Sequence, residues 1–404
     1  MQCGGGENFF RLRGWTLRKL QVFEERTMIT SIEIHNFKAL ENFKISELGR
    51  LVCLIGMNGA GKSTLLQALD FLANSFDNLG NFRDWKNIDI LCAKSKLRSC
   101  SFTLGIRLGS GSKLTWFGRF NVDKWRFIEE NVKAEDGAIL LMTKEGKMTI
   151  SDGVSETVDL TDLTFTGSVF STRKFESSPR LRELKEIFLG LKSFELLAPD
   201  ELRRGVRSTN EMTLGGRGLA GYIKMLESQG EKEDLTTDLK AFYPHLRSIP
   251  QTKPGPGWFG FAINESYGSE VKTDMKHVND GFLRVLAILA QRFSGKCILL
   301  FDEIENGINQ ELIGRLMEFL VTKFTDKQVF VTTHSSLVLN YLTDEAVRDG
   351  VILIYRDELG RSLGCKFFKI PAVEEKLSYL NAGQVMADTN LIELAPTLPS
   401  AEVK

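Results

Sequence analysis

The chain has no excess of either charge: 52 Lys and Arg stand against 52 Asp and Glu, so its 404 residues carry a formal net charge of +0. Nothing in that total draws the protein as a whole to nucleic acid, and any such contact needs a local patch. Cysteine is sparse. The six (Cys3, Cys53, Cys92, Cys100, Cys297 and Cys365) are scattered without CxxC spacing. That excludes a disulfide framework and a zinc site, and reads as reduced thiols of a cytoplasmic protein. No apolar run approaches the roughly 18 residues of a membrane span, and the N-terminus lacks the apolar core of a secretory signal. A soluble chain with no membrane partner is expected. Internal repeats and low-complexity tracts are missing as well. What is present is ordinary globular composition, 42% hydrophobic and 26% charged, in a chain long enough for two or three domain-sized units or one large module with insertions.

Residues 1–27 are weakly patterned, and a strand pattern starts just after Met28. The first stretch reads as a disordered leader, or as an over-extended start with Met28 the functional beginning. Ile29, Ile32 and Ile34 alternate with polar residues before Phe37, and Phe43 and Ile45 follow a short break, the pattern of a two-stranded ribbon. The run Leu51–Ile55, a glycine-rich loop, and Leu65, Leu66, Leu69 and Leu72 at helical spacing give strand, loop, helix. From about Ser101 to Phe170, short alternating segments such as Phe102-Leu104-Ile106 and Leu114-Trp116 predict antiparallel strands. Between Pro179 and Pro250 the pattern becomes helical and charged, and Pro254 to Gly257 marks its exit. Alternation of helix and strand then resumes: helix Gly281–Phe293, strand Cys297–Phe301, helix Leu312–Leu320, strand Val329–Thr332, helix Ser336–Leu342. A hairpin from Val351–Tyr355 to Phe367–Ile370 is expected last.

Three segments carry chemistry. GMNGAGKST, Gly56 to Thr64, fits GxxxxGK[ST] between a strand and a helix. Its glycines (Gly56, Gly59, Gly61), with Asn58 and Ala60, let backbone N–H groups converge on phosphate oxygens at a helix N-terminus. Lys62 should reach the β- and γ-phosphates and the Ser63 hydroxyl should ligate Mg²⁺, with Thr64 beside it. Second, the apolar strand Cys297–Phe301 ends in Asp302-Glu303: Asp302 suits the Mg²⁺ shell, and Glu303 could orient or deprotonate a water. Third, strand Val329–Thr332 runs into Thr333-His334-Ser335, where His334 could donate to a γ-phosphate.

In this order, GMNGAGKST, HVNDGFLRVLAILAQ, CILLFDEIENGIN and VFVTTHSS resemble the ATPase heads of the ABC superfamily, in its RecF/SMC/OLD-like branch. The resemblance spans Met28 to about Leu342. It implies an α/β fold, an ABC-ATPase head with a mixed or parallel P-loop core sheet, an antiparallel β subdomain and a helical insertion. The expected division is a leader (1–27), an N-terminal ATPase lobe (28–178), the helical insertion (179–250), a C-terminal ATPase lobe with signature, acidic strand and switch histidine (251–345), and a C-terminal hairpin and tail (346–404). It also implies ATP and Mg²⁺ as ligands, catalysis by Glu303, His334 and Lys62, and a signature segment at Asn279, Asp280 and Gly281 that binds the γ-phosphate held by a second copy. The partner is then a homo-oligomer built on an ATP-sandwiched dimer. The pattern departs from the family in two places: Asn279 stands where many relatives have serine, and no glutamine lies between Gln67 and Gln229 to form the family's glutamine loop. Phe37 and Lys38 match the family's nucleotide-contacting positions near the first strand, with ordinary core an equal reading of Phe37.

Among functions open to such a head, transport fits poorly, because about 220 residues separate Lys62 from Gly281 and a helical insertion intervenes. A DNA-repair clamp stays open: Arg203, Arg204 and Arg207, or Arg180 and Arg182, could touch phosphates, although 179–250 lacks the heptads of a long coiled coil. About seventy residues follow His334, too few for a further nuclease domain. Short heads of this layout resemble ATPases of bacterial anti-phage and abortive-infection systems. A switch acting on an effector nuclease or toxin is the expectation, with direct DNA binding the alternative.

Overall fold

A computed structural model describes residues 27–399 apart from 78–80, 94, 145, 154, 162, 196 and 208–210. The expected leader therefore lies outside the described residues but for Thr27. The chain opens with β1 (Met28–Phe37), β2 (Leu40–Ser46), β3 (Leu51–Ile55) and helix α1 (Lys62–Phe76), then β4 (Ser99–Arg107), β5 (Lys113–Asn121), β6 (Arg126–Ala134), β7 (Ile139–Lys144), β8 (Lys147–Ile150) and β9 (Glu156–Asp159). All but β3 join one antiparallel sheet in the order β2-β1-β4-β5-β6-β7-β8-β9. Its strands alternate as a half-buried sheet requires: Phe102, Leu104 and Ile106 of β4 and Leu114 and Trp116 of β5 point inward while their neighbours stay partly solvated.

The second half runs α2 (Pro179–Leu189), β10 (Leu191–Phe194), α3 (Pro199–Leu202), α4 (Leu219–Gln229), α5 (Lys232–Lys240), β11 (Leu246–Ser248), β12 (Gln251–Thr252), β13 (Gly260–Ser266) and β14 (Glu270–Asp274). It continues through α6 (Asp280–Ala290), β15 (Ile298–Phe301), α7 (Gln310–Lys323), β16 (Gln328–Thr332), α8 (Ser336–Leu339), α9 (Asp344–Gly350), β17 (Val351–Arg356) and β18 (Ser362–Lys366). Short helices α10 (Pro371–Glu374), α11 (Ala382–Ala387) and α12 (Leu391–Leu394) follow. Strands β11 to β14 form a small antiparallel sheet.

The central sheet has the order β10-β15-β16-β3-β17-β18, parallel except for β18. Its strands are apolar on both faces because both faces are covered. Leu51, Cys53 and Ile55 of β3, with Leu299, Phe301, Val329 and Val331, enter the core that holds α4 to α8. Val52 and Leu54, with Ile298, Leu300 and Phe330, enter the core shared with α1, α2 and the antiparallel sheet. The sheet is thus the wall between two hydrophobic cores, and all its parallel strands end on one edge. At that edge a parallel sheet places its ligands.

Two expectations are corrected. The stretch expected to be helical, 179–250, contributes β10, an edge strand of the parallel sheet, in register with β15 from Leu191 opposite Ile298 to Phe194 opposite Phe301. The hairpin at the end pairs β17 with Ser362–Lys366, while Phe367–Lys369 forms a 3₁₀ turn. It completes the central sheet and packs on β2 instead of projecting as a separate unit. Phe37 is fully buried between Phe71 and Phe102, an ordinary core residue.

Candidate functional site

The loop between β3 and α1 takes backbone conformations that only glycine adopts without strain: φ is +144° at Gly56, +74° at Gly59 and +113° at Gly61. Gly56 is also pressed onto β17, where a Cβ would sit 2.1 Å from the Ile354 carbonyl oxygen. Gly61 caps α1 with no side-chain hydrogen bond, and the first turn carries no acid. The amides that open a fifteen-residue helix are therefore left facing the loop, a ready anion site. Met57, Asn58 and Gly59 are exposed, whereas Ala60 and Gly61 are buried.

Lys62 is 5% exposed, and its ammonium donates to the Gly56 carbonyl at 2.9 Å and the Met57 carbonyl at 3.1 Å. Burial holds its pKa below the usual lysine range, and the charges of Asp302, Glu303 and Glu305 pull the other way. On the next residue, Ser63 Oγ donates to Asp302 Oδ1 at 3.0 Å. The same carboxylate oxygen receives the Thr332 hydroxyl at 2.5 Å. Ser63 lies in the first turn of α1, Asp302 directly follows β15 and Thr332 ends β16, so three elements meet at one oxygen.

Glu303 is held in a left-handed backbone conformation, φ +47°, which costs free energy for a residue with a Cβ. Its amide donates to Thr332 Oγ1 at 2.8 Å, and its carboxylate accepts from Asn306 Nδ2 at 3.0 Å. His334 joins through its backbone: its amide donates to Glu305 Oε1 at 2.7 Å, as does that of Ser335 at 3.2 Å. The imidazole belongs to an exposed residue. The structure therefore gathers Lys62, Ser63, Asp302 and Glu303 with Thr64 next along the helix, and adds Thr332 and Glu305, to which the sequence assigned no role. Thr332 stands inside the VTTHSS segment, and a hydroxyl at the end of a wholly buried strand was the available signal.

Asn279, Asp280 and Gly281 make a different surface. Asn279 is exposed and caps α6, accepting from the Phe282 amide at 2.8 Å. Asp280 pairs with Arg203, which also donates to the Val278 carbonyl at 2.7 Å. Gly281 lies where a Cβ would come within 2.9 Å of the Gly307 carbonyl, so the start of α6 leans on the turn after Glu303. Arg284, one turn into α6, is 9% exposed and donates to the Asn306 carbonyl. Lys38, the other nucleotide-contact candidate, reaches Gln67 Oε1 of α1 at 2.7 Å.

The donor set at Asp302 is hydroxyl and carboxylate oxygen. Such a set suits a small hard dication that keeps several waters and takes further oxygens from phosphate. Among the described residues no group of three or more His, Cys, Asp and Glu forms an all-protein metal cage. No helix among them is long and apolar enough to cross a membrane.

Fold and site define a P-loop ATPase, and the chain is similar to RecF and to Smc heads. Residues 28–159 match the family described as AAA ATPase domain, and residues 173–340 match a second AAA domain family that carries the label AbiEii toxin, Type IV TA system. A stretch of 48 residues is 46% identical to the DNA replication and repair protein RecF of Acholeplasma laidlawii, spanning 12% of this chain and 14% of that one. The fold is similar to the Smc head bound to the C-winged helix domain of ScpA, with TM-score 0.52, 14% identity, and coverage of 83% of this chain and 96% of that one. It is similar also to the Smc head with an extended coiled coil bound to the C-terminal domain of ScpA, from Pyrococcus furiosus, with TM-score 0.50, 12% identity, and coverage of 87% and 100%.

Proposed function

We propose that the chain binds Mg-ATP at the loop after β3, hydrolyses it, and uses the cycle as a conformational switch on a partner protein in the cytoplasm. The observation that carries this reading is the convergence of Ser63 and Thr332 on Asp302 Oδ1 beside the buried Lys62 ammonium. The amides of Gly56, Asn58, Gly59, Ala60, Gly61 and Thr64 cradle phosphate oxygens, and Lys62 leaves its two carbonyl contacts for the β- and γ-phosphates. Ser63 and Asp302 hold Mg²⁺, which when bound neutralises charge on the phosphate oxygens. Glu303 takes the proton of the attacking water and His334 senses the terminal phosphate.

Two copies close face to face. Asn279, Asp280 and Gly281 of one copy then meet the terminal phosphate bound by the other. Asn279 spends its oxygen on the cap, which leaves its amide nitrogen free to donate. Arg203 offsets the charge that Asp280 would otherwise turn toward a phosphate. The output is an effector nuclease or toxin in anti-phage defence, a reading supported by the toxin–antitoxin label on the family matched by residues 173–340.

The RecF stretch supports a second reading, a repair-type ATPase that binds DNA directly. Against it, three of the five arginines that could touch DNA are engaged in ion pairs within the chain: Arg203 with Asp280, Arg204 with Glu201, Arg180 with Asp152. Phosphate release from Mg-ATP by the wild type, absent in Lys62→Ala, tests the common core of both readings; equal release by the two proteins contradicts it. Capture from native host lysate with the ATP-locked Glu303→Gln variant separates them. A nuclease or toxin retained only with ATP supports the effector switch, and DNA alone supports repair.

A further inference from the structure

β10 closes the central sheet on the side away from β18, so one of its edges has no strand beside it. Its side chains serve both cores: Leu191 enters the one shared with α1 and α2, and Phe194 the one that holds α4 to α8. A hollow lies on each side of it. The one toward α1, about 420 Å³, runs from Asp70 and Asn74 past Trp85 to Ser193. The one toward α4, about 170 Å³, lies between Tyr222, Met225 and Gln291. They meet around the strand edge at Lys192, Glu211, Met212 and Lys296, which line both. Among the described residues, none of the loop after β3 lines either.

Each hollow holds a buried hydroxyl without a partner. Ser193 Oγ, on a residue 1% exposed, and Tyr222 Oη, on a residue 3% exposed, make no hydrogen bond among the described residues. A buried hydroxyl left so costs free energy that a polar guest recovers. The strand adds main-chain groups. Gly190 and Phe194 accept from the amides of Cys297 and Asp302 beside β15, so the N–H and C=O of Leu191 and Ser193 face away from the sheet.

Where the hollows join, Glu211 spans two ammoniums: Oε2 lies 3.4 Å from Lys192 Nζ and Oε1 3.2 Å from Lys296 Nζ. The lysine side chains are 25% and 23% exposed and that of the glutamate 58%. The cations therefore point inward while their carboxylate stands at the mouth, in a pair that water weakens and a competing anion can open. The α1 end has the opposite character, because Asp70 and Asp77 both line it. Burial pushes the Asp70 carboxyl up to about 7, so near neutral pH it can donate a hydrogen bond there.

We propose that the joined hollows bind a small organic carboxylate, whose head replaces Glu211 between Lys192 and Lys296 while its apolar body runs past Met212 toward Trp85 and Ser193. Glu211 shows which head group the two ammoniums accept. Asp70 and Asp77 keep a second negative charge out of the α1 end, which favours one charge and a body that is neutral beyond it. The larger hollow is within the roughly 300–1,000 Å³ of small-molecule sites. The site is separate from the phosphate loop and does not depend on the Mg-ATP reading.

The test is calorimetric titration of the full chain with naphthoate, a carboxylate on a flat apolar body, and with naphthamide, which has the same shape and no charge. The wild type should bind one naphthoate per chain, and saturating Mg-ATP should leave that titration unchanged. Lys192→Met with Lys296→Met should lose about tenfold or more in naphthoate affinity, with naphthamide changed less than about twofold. Glu211→Gln removes the competing carboxylate from an exposed position, and naphthoate affinity should rise about two- to fivefold. This gain cannot come from a variant that fails to fold. A wild type that binds no naphthoate overturns the site, as does displacement by Mg-ATP. Equal losses for both ligands in the lysine variant, or no gain in Glu211→Gln, overturn the placing of the head.

Discussion

The Thr332 hydroxyl does two things at once: it donates to Asp302 Oδ1 at 2.5 Å and accepts the Glu303 amide at 2.8 Å. One side chain at the end of β16 thereby sets the acid that would hold the metal and the backbone of the acid that would act on water. Thr332→Val keeps the shape and removes both bonds. Hydrogen bonds to charged groups contribute about 1.5–3 kcal/mol, so turnover should fall roughly 10- to 100-fold, while ATP affinity, set by the loop, moves little. Steady-state phosphate release and calorimetric ATP binding check the split. An equal fall in both would make Thr332 a residue of the fold and nothing more.

The loop and the acidic strand were legible in the sequence because each is a contiguous run with a fixed local geometry: three glycines at positive φ, a buried strand, two acids. The convergence at Asp302 was not legible, since Ser63 and Thr332 reach it from positions far away in the chain. β10 escaped for a related reason. Leu191–Phe194 has four residues, is set within a helical, charged stretch and shows no clean alternation, so only its pairing with β15 makes it a strand. The C-terminal pairing was misplaced because Phe367-Phe368 is more apolar than Ser362–Lys366, although the tight return from β17 favours the nearer segment.

Glu303→Gln and Lys62→Ala should separate hydrolysis from binding. The first keeps the loop and removes the proposed base, so ATP should still bind and turnover should slow by something like 10²- to 10⁴-fold. The second removes the ammonium from the loop, and ATP binding should be lost. Turnover at the wild-type rate in Glu303→Gln would take Glu303 out of the chemistry.

Glu130 gives the stability of the protein an unusual pH dependence. Its carboxylate is fully buried in the antiparallel sheet and accepts from Ser168 Oγ at 2.6 Å and the Val169 amide at 2.7 Å. Burial outweighs those bonds and pushes its pKa from 4.5 to about 7. Between these values the unfolded chain has released a proton that the folded one retains. The contribution of this group therefore falls as pH rises from about 4.5 to about 7 and is level above, by on the order of 3 kcal/mol. Asp70, pushed from 3.8 to about 7 chiefly by its own burial, acts in the same direction. Denaturant melts at pH 5 and pH 8 should show a smaller difference for Glu130→Gln than for the wild type. Identical differences would contradict the assignment.

Asn279 has a structural duty that can be separated from its proposed role across a dimer. Asn279→Ala removes the α6 cap and should cost about 1 kcal/mol, whereas Asn279→Ser keeps a capping oxygen and should melt like the wild type. If the segment also grips a phosphate bound by the second copy, the serine variant retains ATP-dependent association and the alanine variant loses it. Equal association of both variants would confine Asn279 to the cap.

The most direct measurement is the mass in solution of the Glu303→Gln protein, by light scattering, with and without Mg-ATP. ATP should double the mass, and adding Lys62→Ala to the same chain should abolish the change. A mass that stays that of one chain at saturating ATP would contradict the nucleotide-closed dimer, and with it the switch.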